Sequence, residues 1–142
     1  MRYTIFTLLL TGTIFLQPAI AQESVIESND YKISYELQDC HDIANGMHRS
    51  YALVTFENKT NEEVTIFFDL EKYRNGVCRS CNNEDNGLHH SIILSPLEAI
   101  TGTCETPEPF LRVFNKHLDL DNHSTLTDLK FTNLSLIHIS EP

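Results

Sequence analysis

The chain lacks the short signatures that mark common enzymes. No Gly-x-Ser-x-Gly, no His-Glu-x-x-His and no glycine-rich phosphate loop occurs in its 142 residues. Serine-hydrolase, zinc-peptidase and nucleotide-binding readings therefore have no carrier. Glycine and proline are sparse, with five of each, and no Ser- or Pro-rich linker divides the chain, which argues for one domain. No helical stripe persists over ten residues, so helical folds are set aside. Basic side chains are few: 10 Lys and Arg stand against 20 Asp and Glu, for a net charge of −10. Nucleic acid and anionic lipid are poor partners for such a chain, because both require clustered Lys or Arg.

What is present begins with two ends that read as separate from the fold. Arg2 is followed by an apolar run over residues 5–16, and Ala19-Ile20-Ala21 supplies small residues at a cleavage site. Residues 1–21 thus read as a signal peptide, with the mature chain starting at Gln22. The run is shorter than the roughly 20 residues of a membrane span, so no span is expected. At the other end, residues 134–142 (Leu-Ser-Leu-Ile-His-Ile-Ser-Glu-Pro) resemble a translated sequencing adapter. A native last strand is the alternative, since Leu134, Leu136 and Ile137 are β-compatible. The expected layout is an extension over 22–30 and one domain over 31–133; together, residues 22–133 make about 110 residues, enough for a single core.

Within that domain the hydrophobic period is that of strands. Tyr31, Ile33, Tyr35 and Leu37 alternate with Lys32, Ser34, Glu36 and Gln38, the pattern of a half-buried strand. Further strands are expected at 51–57, 64–70, 89–94, 99–103, 110–117 and 126–132. Polar turns separate them, among them Asn58–Glu62 and Asn75-Gly76. Seven short strands at intervals of roughly ten residues predict an all-β, immunoglobulin-like antiparallel sandwich.

If every turn reverses the chain, the strands can be followed from end to end. Cys40, Cys78, Cys81 and Cys104 then gather at one pole with His41, His48, His89 and His90, while His117 and His123 fall at the opposite pole. Export directs these cysteines towards disulfides. Four cysteines allow three connectivities. Cys40–Cys104 with Cys78–Cys81 is the preferred one, and Cys40–Cys78 with Cys81–Cys104 stays open. A second reading is a zinc or copper site built on Cys78-x-x-Cys81, with His41, His89 or His90 as further ligands. Adjacent His89 and His90 on a strand face opposite sides, so only one of them joins easily. A third reading is thiol–disulfide exchange, opposed by the acids of Asn82-Asn83-Glu84-Asp85, which would raise a thiol pKa. Asp119, Asp121 and Asn122 lack the glycine and distal glutamate of a calcium loop and read as a solvated turn. Asn58 and Asn122 sit in glycosylation-type triplets.

Several of these segments carry a resemblance. Phe56-Glu-Asn-Lys-Thr60 leading into Val64-Thr-Ile66, the Cys78-Arg-Ser-Cys81 loop, and Leu94-Ser-Pro-Leu-Glu98 followed by Gly102-Thr-Cys104 resemble small uncharacterised exported proteins of Gram-negative bacteria with an immunoglobulin-like sandwich. The resemblance spans residues 31–132 and implies a fold and an exported, periplasmic or secreted location. It implies no activity, since such sandwiches host many. The function expected is non-enzymatic: binding an unknown protein or surface ligand, or assembly, without a cofactor. The zinc- or copper-binding and redox readings are the alternatives.

Overall fold

The computed structural model describes residues 23–81 and 89–139. The signal-peptide reading of 1–21, the acids of 82–85 and the last three residues of the adapter-like segment lie outside the described residues. Nine strands and no helix are found among them: β1 Glu23–Glu27, β2 Tyr31–Asp42, β3 Met47–Asn58, β4 Glu63–Arg74, β5 Val77–Cys78, β6 His89–Leu94, β7 Ala99–Thr101, β8 Arg112–His117 and β9 Leu126–Ile139. The all-β sandwich is as expected, with nine strands rather than seven. The two additions are β1, which draws the expected 22–30 extension into the fold, and the two-residue β5, too short to show a period.

All strand pairs are antiparallel. In the first sheet β1, β2 and β3 follow one another, and both β7 and β8 lie against the free side of β3. In the second, β4 is central, with β9 along one side and β6 and β5 along the other. An immunoglobulin domain places its second and third strands in opposite sheets. Here β2 and β3 form one long hairpin, from Tyr31↔Asn58 to Asp42↔Met47. The layered architecture is shared with such domains; the order of strands is not.

Period-2 alternation fills the space between the sheets. Ile33 and Tyr35, then Ala52, Val54 and Phe56, point inward from the first sheet, and Val64, Ile66, Phe68 and Leu70 meet them from the second. Phe56 is fully buried and sits 5.0 Å from the Phe68 ring and 5.7 Å from Phe131. Burial of one such ring contributes about 1.5–3 kcal/mol. Along β9 the inward residues are Leu129 and Phe131, then Leu134 and Leu136. The change of parity is made by a bulge at Asn133 (φ 49°), where the register with β4 shifts between Phe67 and Asp69. Residues 135–139 of the adapter-like segment therefore pair with β4, from Phe67↔Ser135 to Glu63↔Ile139. Their alternation is sufficient reason for the pairing, whatever the origin of the segment.

The tracing of poles needs one correction. Strand β7 pairs antiparallel with β3 and so does β8, so the two run in the same direction. Residues 102–111 are thus an excursion that leaves the sheet and rejoins it, not a reversal. Its neck is a close approach of two backbones. Gly102 N donates to Val54 O and Val54 N to Leu111 O, both at 2.9 Å, and a Cβ on Gly102 would collide with the Leu111 carbonyl. In consequence His117 lies opposite Arg49, and His123 accepts a bond from Asn75 Nδ2 through its carbonyl at 2.9 Å. Both histidines belong to the cysteine pole, not the opposite one.

Candidate binding cleft at the disulfide pole

All four cysteines are paired, as Cys40–Cys104 and Cys78–Cys81, each with Cα atoms 5.7 Å apart. The first bridge clips the 102–111 excursion to the end of β2. The second closes a short loop folded back on β4. There Arg79 N donates to Lys72 O at 2.9 Å, and Ser80 Oγ accepts from Lys72 N at 2.8 Å while donating to Leu70 O at 3.2 Å.

A cleft forms beside the first bridge. Directly opposed residues in an antiparallel pair share a face, and the register opposes Cys40 to Arg49, Asp42 to Met47 and Gln38 to Tyr51. Cys40, Arg49, Met47 and Tyr51 therefore stand on the outer face of the first sheet. Strand β8 sets Arg112 beside them, opposite Leu53. The Cys104–Glu105 turn of the excursion and the residues of the β2–β3 tip, among them Ile43 and Ala44, close the sides. The cleft is open and measures about 640 Å³.

Its electrostatics are unusual for a chain of net charge −10. Arg112 lies over the Tyr51 ring, 5.1 Å from its centroid, and donates through Nη1 to the Cys104 carbonyl. Arg49 reaches Tyr51 Oη at 3.5 Å and Met47 Sδ at 3.1 Å, both weak acceptors, and its Nε is buried without a hydrogen-bond partner. Among the described residues no carboxylate comes within ion-pair distance of either guanidinium. The nearby Asp42 is engaged elsewhere. It accepts Asn45 N at 3.2 Å and Asn45 Nδ2 at 2.7 Å, and these bonds, with a smaller longer-range attraction from Arg49, hold its carboxyl below the usual carboxylate range. The same bonds shape the β2–β3 turn, completed by Gly46 at φ 61°.

Of the histidines expected to join a metal site, His41 lines this cleft, and none of them groups with Cys78 and Cys81 among the described residues. His41 and His48 face each other across the hairpin, with Nδ1 atoms 2.8 Å apart. His89 Nδ1 lies 2.5 Å from Asp69 Oδ1, whose partner oxygen accepts from Asn133 Nδ2 at 2.6 Å. His90 turns the other way, as the alternation requires. Its ring lies 5.5 Å from Phe68 and 5.2 Å from Phe110, and burial there lowers its pKa, helped by Lys72 and opposed by Asp69. The group that does approach Cys78 and Cys81 is Glu71, with all three ligand atoms within 4.8 Å of one another. Glu71 also accepts from Tyr73 Oη at 2.9 Å, which raises the phenol pKa. Glu71 and Tyr73 share a face of β4 at spacing two, and Tyr73 pairs with Cys78; that spacing was the available signal.

The remaining candidates are structural. Asn122 closes a turn, donating to His117 O at 2.6 Å and accepting His117 N at 2.8 Å. Asn58 is 1% exposed and spends its amide on three carbonyls, so it is no glycosylation acceptor. No helix among the described residues is long and apolar enough to cross a membrane. Fold and site together define an all-β sandwich with two cystine bridges and an open cleft beside one of them. No protein-family model matches the chain, and neither a curated protein nor a solved structure matches it significantly.

Proposed function

We propose that the protein is an exported, non-enzymatic β-sandwich that acts by binding through the cleft at its disulfide pole. The observation that carries this reading is the pair of arginines, Arg49 and Arg112, lining an open cleft without a carboxylate partner among the described residues. A buried guanidinium nitrogen without a partner, as at Arg49 Nε, is uncommon in folded proteins, and a guanidinium fork matches anionic oxygens. The leader-like residues 1–21 and the two bridges support export to an oxidising compartment. The test is a ligand screen followed by amide chemical-shift mapping on the oxidised protein. Binding is expected to perturb Met47, Arg49, Tyr51 and Arg112. A screen whose hits map only to other surfaces removes the cleft from the argument.

A second reading, zinc or copper binding, rests on Glu71 beside Cys78 and Cys81. It requires reduction of that bridge, which frees two thiolates next to a carboxylate. Thiol counting and metal analysis on protein prepared from the periplasm separate the readings. Two bridges and no metal favour the binding role, whereas free thiols with stoichiometric zinc or copper favour the metal role. A Cys78–Cys81 pair that cycles with a dithiol partner would favour the redox alternative.

A further inference from the structure

We propose that the cleft takes a monoanionic carboxylate attached to an apolar body, held by Arg49 and Arg112 through its oxygens and by Met47 and Tyr51 through its apolar part. The inference rests on the binding role and names its ligand class. A guanidinium presents N–H donors in a planar fork that matches the two oxygens of a carboxylate. Arg49 currently spends this fork on a phenol oxygen at 3.5 Å and a thioether at 3.1 Å, while its Nε has no partner. Arg112 spends one donor on the Cys104 carbonyl and stacks on Tyr51. The buried Arg49 Nε is out of a ligand's reach, but the Nη groups of both residues carry more N–H donors than these contacts use, beside an open volume of about 640 Å³, within the range of small-molecule sites.

The rest of the cleft narrows the class. Met47, Ile43, Ala44 and the Tyr51 ring offer apolar contact, so a bare inorganic ion would leave most of the site unused. Asp42 and Glu105 also line it, and together with the −10 net charge they penalise a dianion more than a monoanion. A cationic ligand is disfavoured because Asp42 is already occupied by two bonds from Asn45, which leaves Glu105 to meet it against two guanidiniums.

The test titrates the oxidised full domain with 3-phenylpropanoate, its amide, a peptide ending in Ala-Phe with a free carboxylate, the same peptide amidated, and inorganic phosphate. Amide shifts locate each site and calorimetry gives each affinity. The acids are expected to bind at the cleft about tenfold more tightly than the amides. That difference should vanish in Arg49→Gln/Arg112→Gln, and be reduced in Arg49→Lys, which keeps the charge but loses the fork. Unchanged amide dispersion in the variants shows that they fold. Whichever acid binds more tightly, free or peptide-borne, assigns the source of the carboxylate. Acid and amide binding equally at the cleft overturns the carboxylate while leaving the binding role intact. Phosphate matching or exceeding the acids overturns the ligand class in the same way. Shifts confined to other surfaces for every probe, and for the hits of the broader screen, overturn both.

Discussion

Opening the Cys40–Cys104 bridge is expected to be the most damaging single change at the pole, and its size can be worked from the topology. The bridge joins residues 64 apart in sequence. In the chain-entropy account, closing a loop of that length removes enough denatured-state freedom to stabilise the fold by about 4 kcal/mol. The Cys78–Cys81 bridge spans a separation of only 3 and is worth about 2 kcal/mol at most on the same scale. For a domain near 110 residues, each kcal/mol moves Tm by about 4 °C, so the long bridge corresponds to roughly 15 °C. Cys40→Ala/Cys104→Ala and Cys78→Ala/Cys81→Ala should therefore be compared with the parent by urea and thermal denaturation. Alanine adds no hydroxyl at Cys40, which is only 8% exposed. Limited proteolysis with a Glu-specific protease gives a local readout, because Glu105 and Glu108 sit in the tethered excursion. Faster cleavage there is expected only when the long bridge is absent. A loss below about 1 kcal/mol for the long bridge, or an equal loss for the short one, would refute loop closure as the source of stability.

Asn58→Ala should cost about 2–4 kcal/mol in urea titration, because Nδ2 serves the carbonyls of Glu62, Leu94 and Ser95 and Oδ1 accepts from Thr60 N and Oγ1. Asn58→Asp should not restore it, since the donors are gone; full rescue by Asp would mean that the carbonyls are satisfied otherwise. His90 has a folded-state pKa below its ordinary 6.5, chiefly through burial. Its neutral form is favoured by folding, so its contribution is fully present above about pH 6.5 and is lost as pH falls through the lower folded value. Denaturation midpoints should fall more between pH 7.5 and 5.5 in the parent than in His90→Gln, and equal slopes would count against the buried imidazole.

Strands were legible wherever one face of a sheet is covered. Tyr31, Ile33 and Tyr35 alternate because the second sheet packs on them. Past Leu37, which is 53% exposed, the β2–β3 hairpin projects beyond that cover. Pairing continues to Asp42↔Met47, but from Leu37 onwards Cys40 is the only buried residue of β2, so the period stops before the strand does. The reversal wrongly expected after β7 has a similar cause. Turn chemistry around residues 103–110 marks a departure from the sheet, yet a departure and a reversal draw on the same residues. Gly102 was the one distinguishing sign. A glycine at a strand end where another backbone passes within contact points to a chain that returns beside itself.

Counting reversals is enough to place the cysteines and not enough to bring the two arginines together. Cys40, Cys78 and Cys104 all precede or open the excursion, so the count of reversals up to them is right. Arg112 follows it, and a count of reversals assigns its strand neither a partner nor a register. The pairing of β8 with β3 brings Arg112 and Tyr51 together, 61 positions apart, with their cation and ring 5.1 Å from each other. The disulfide then has a second consequence beyond stability. It fixes the Cys104 carbonyl to which Arg112 donates, and so holds the guanidinium over Tyr51 beside the cleft. Opening the bridge should therefore weaken carboxylate binding even under conditions where the domain stays folded, a coupling that a purely structural staple would not show.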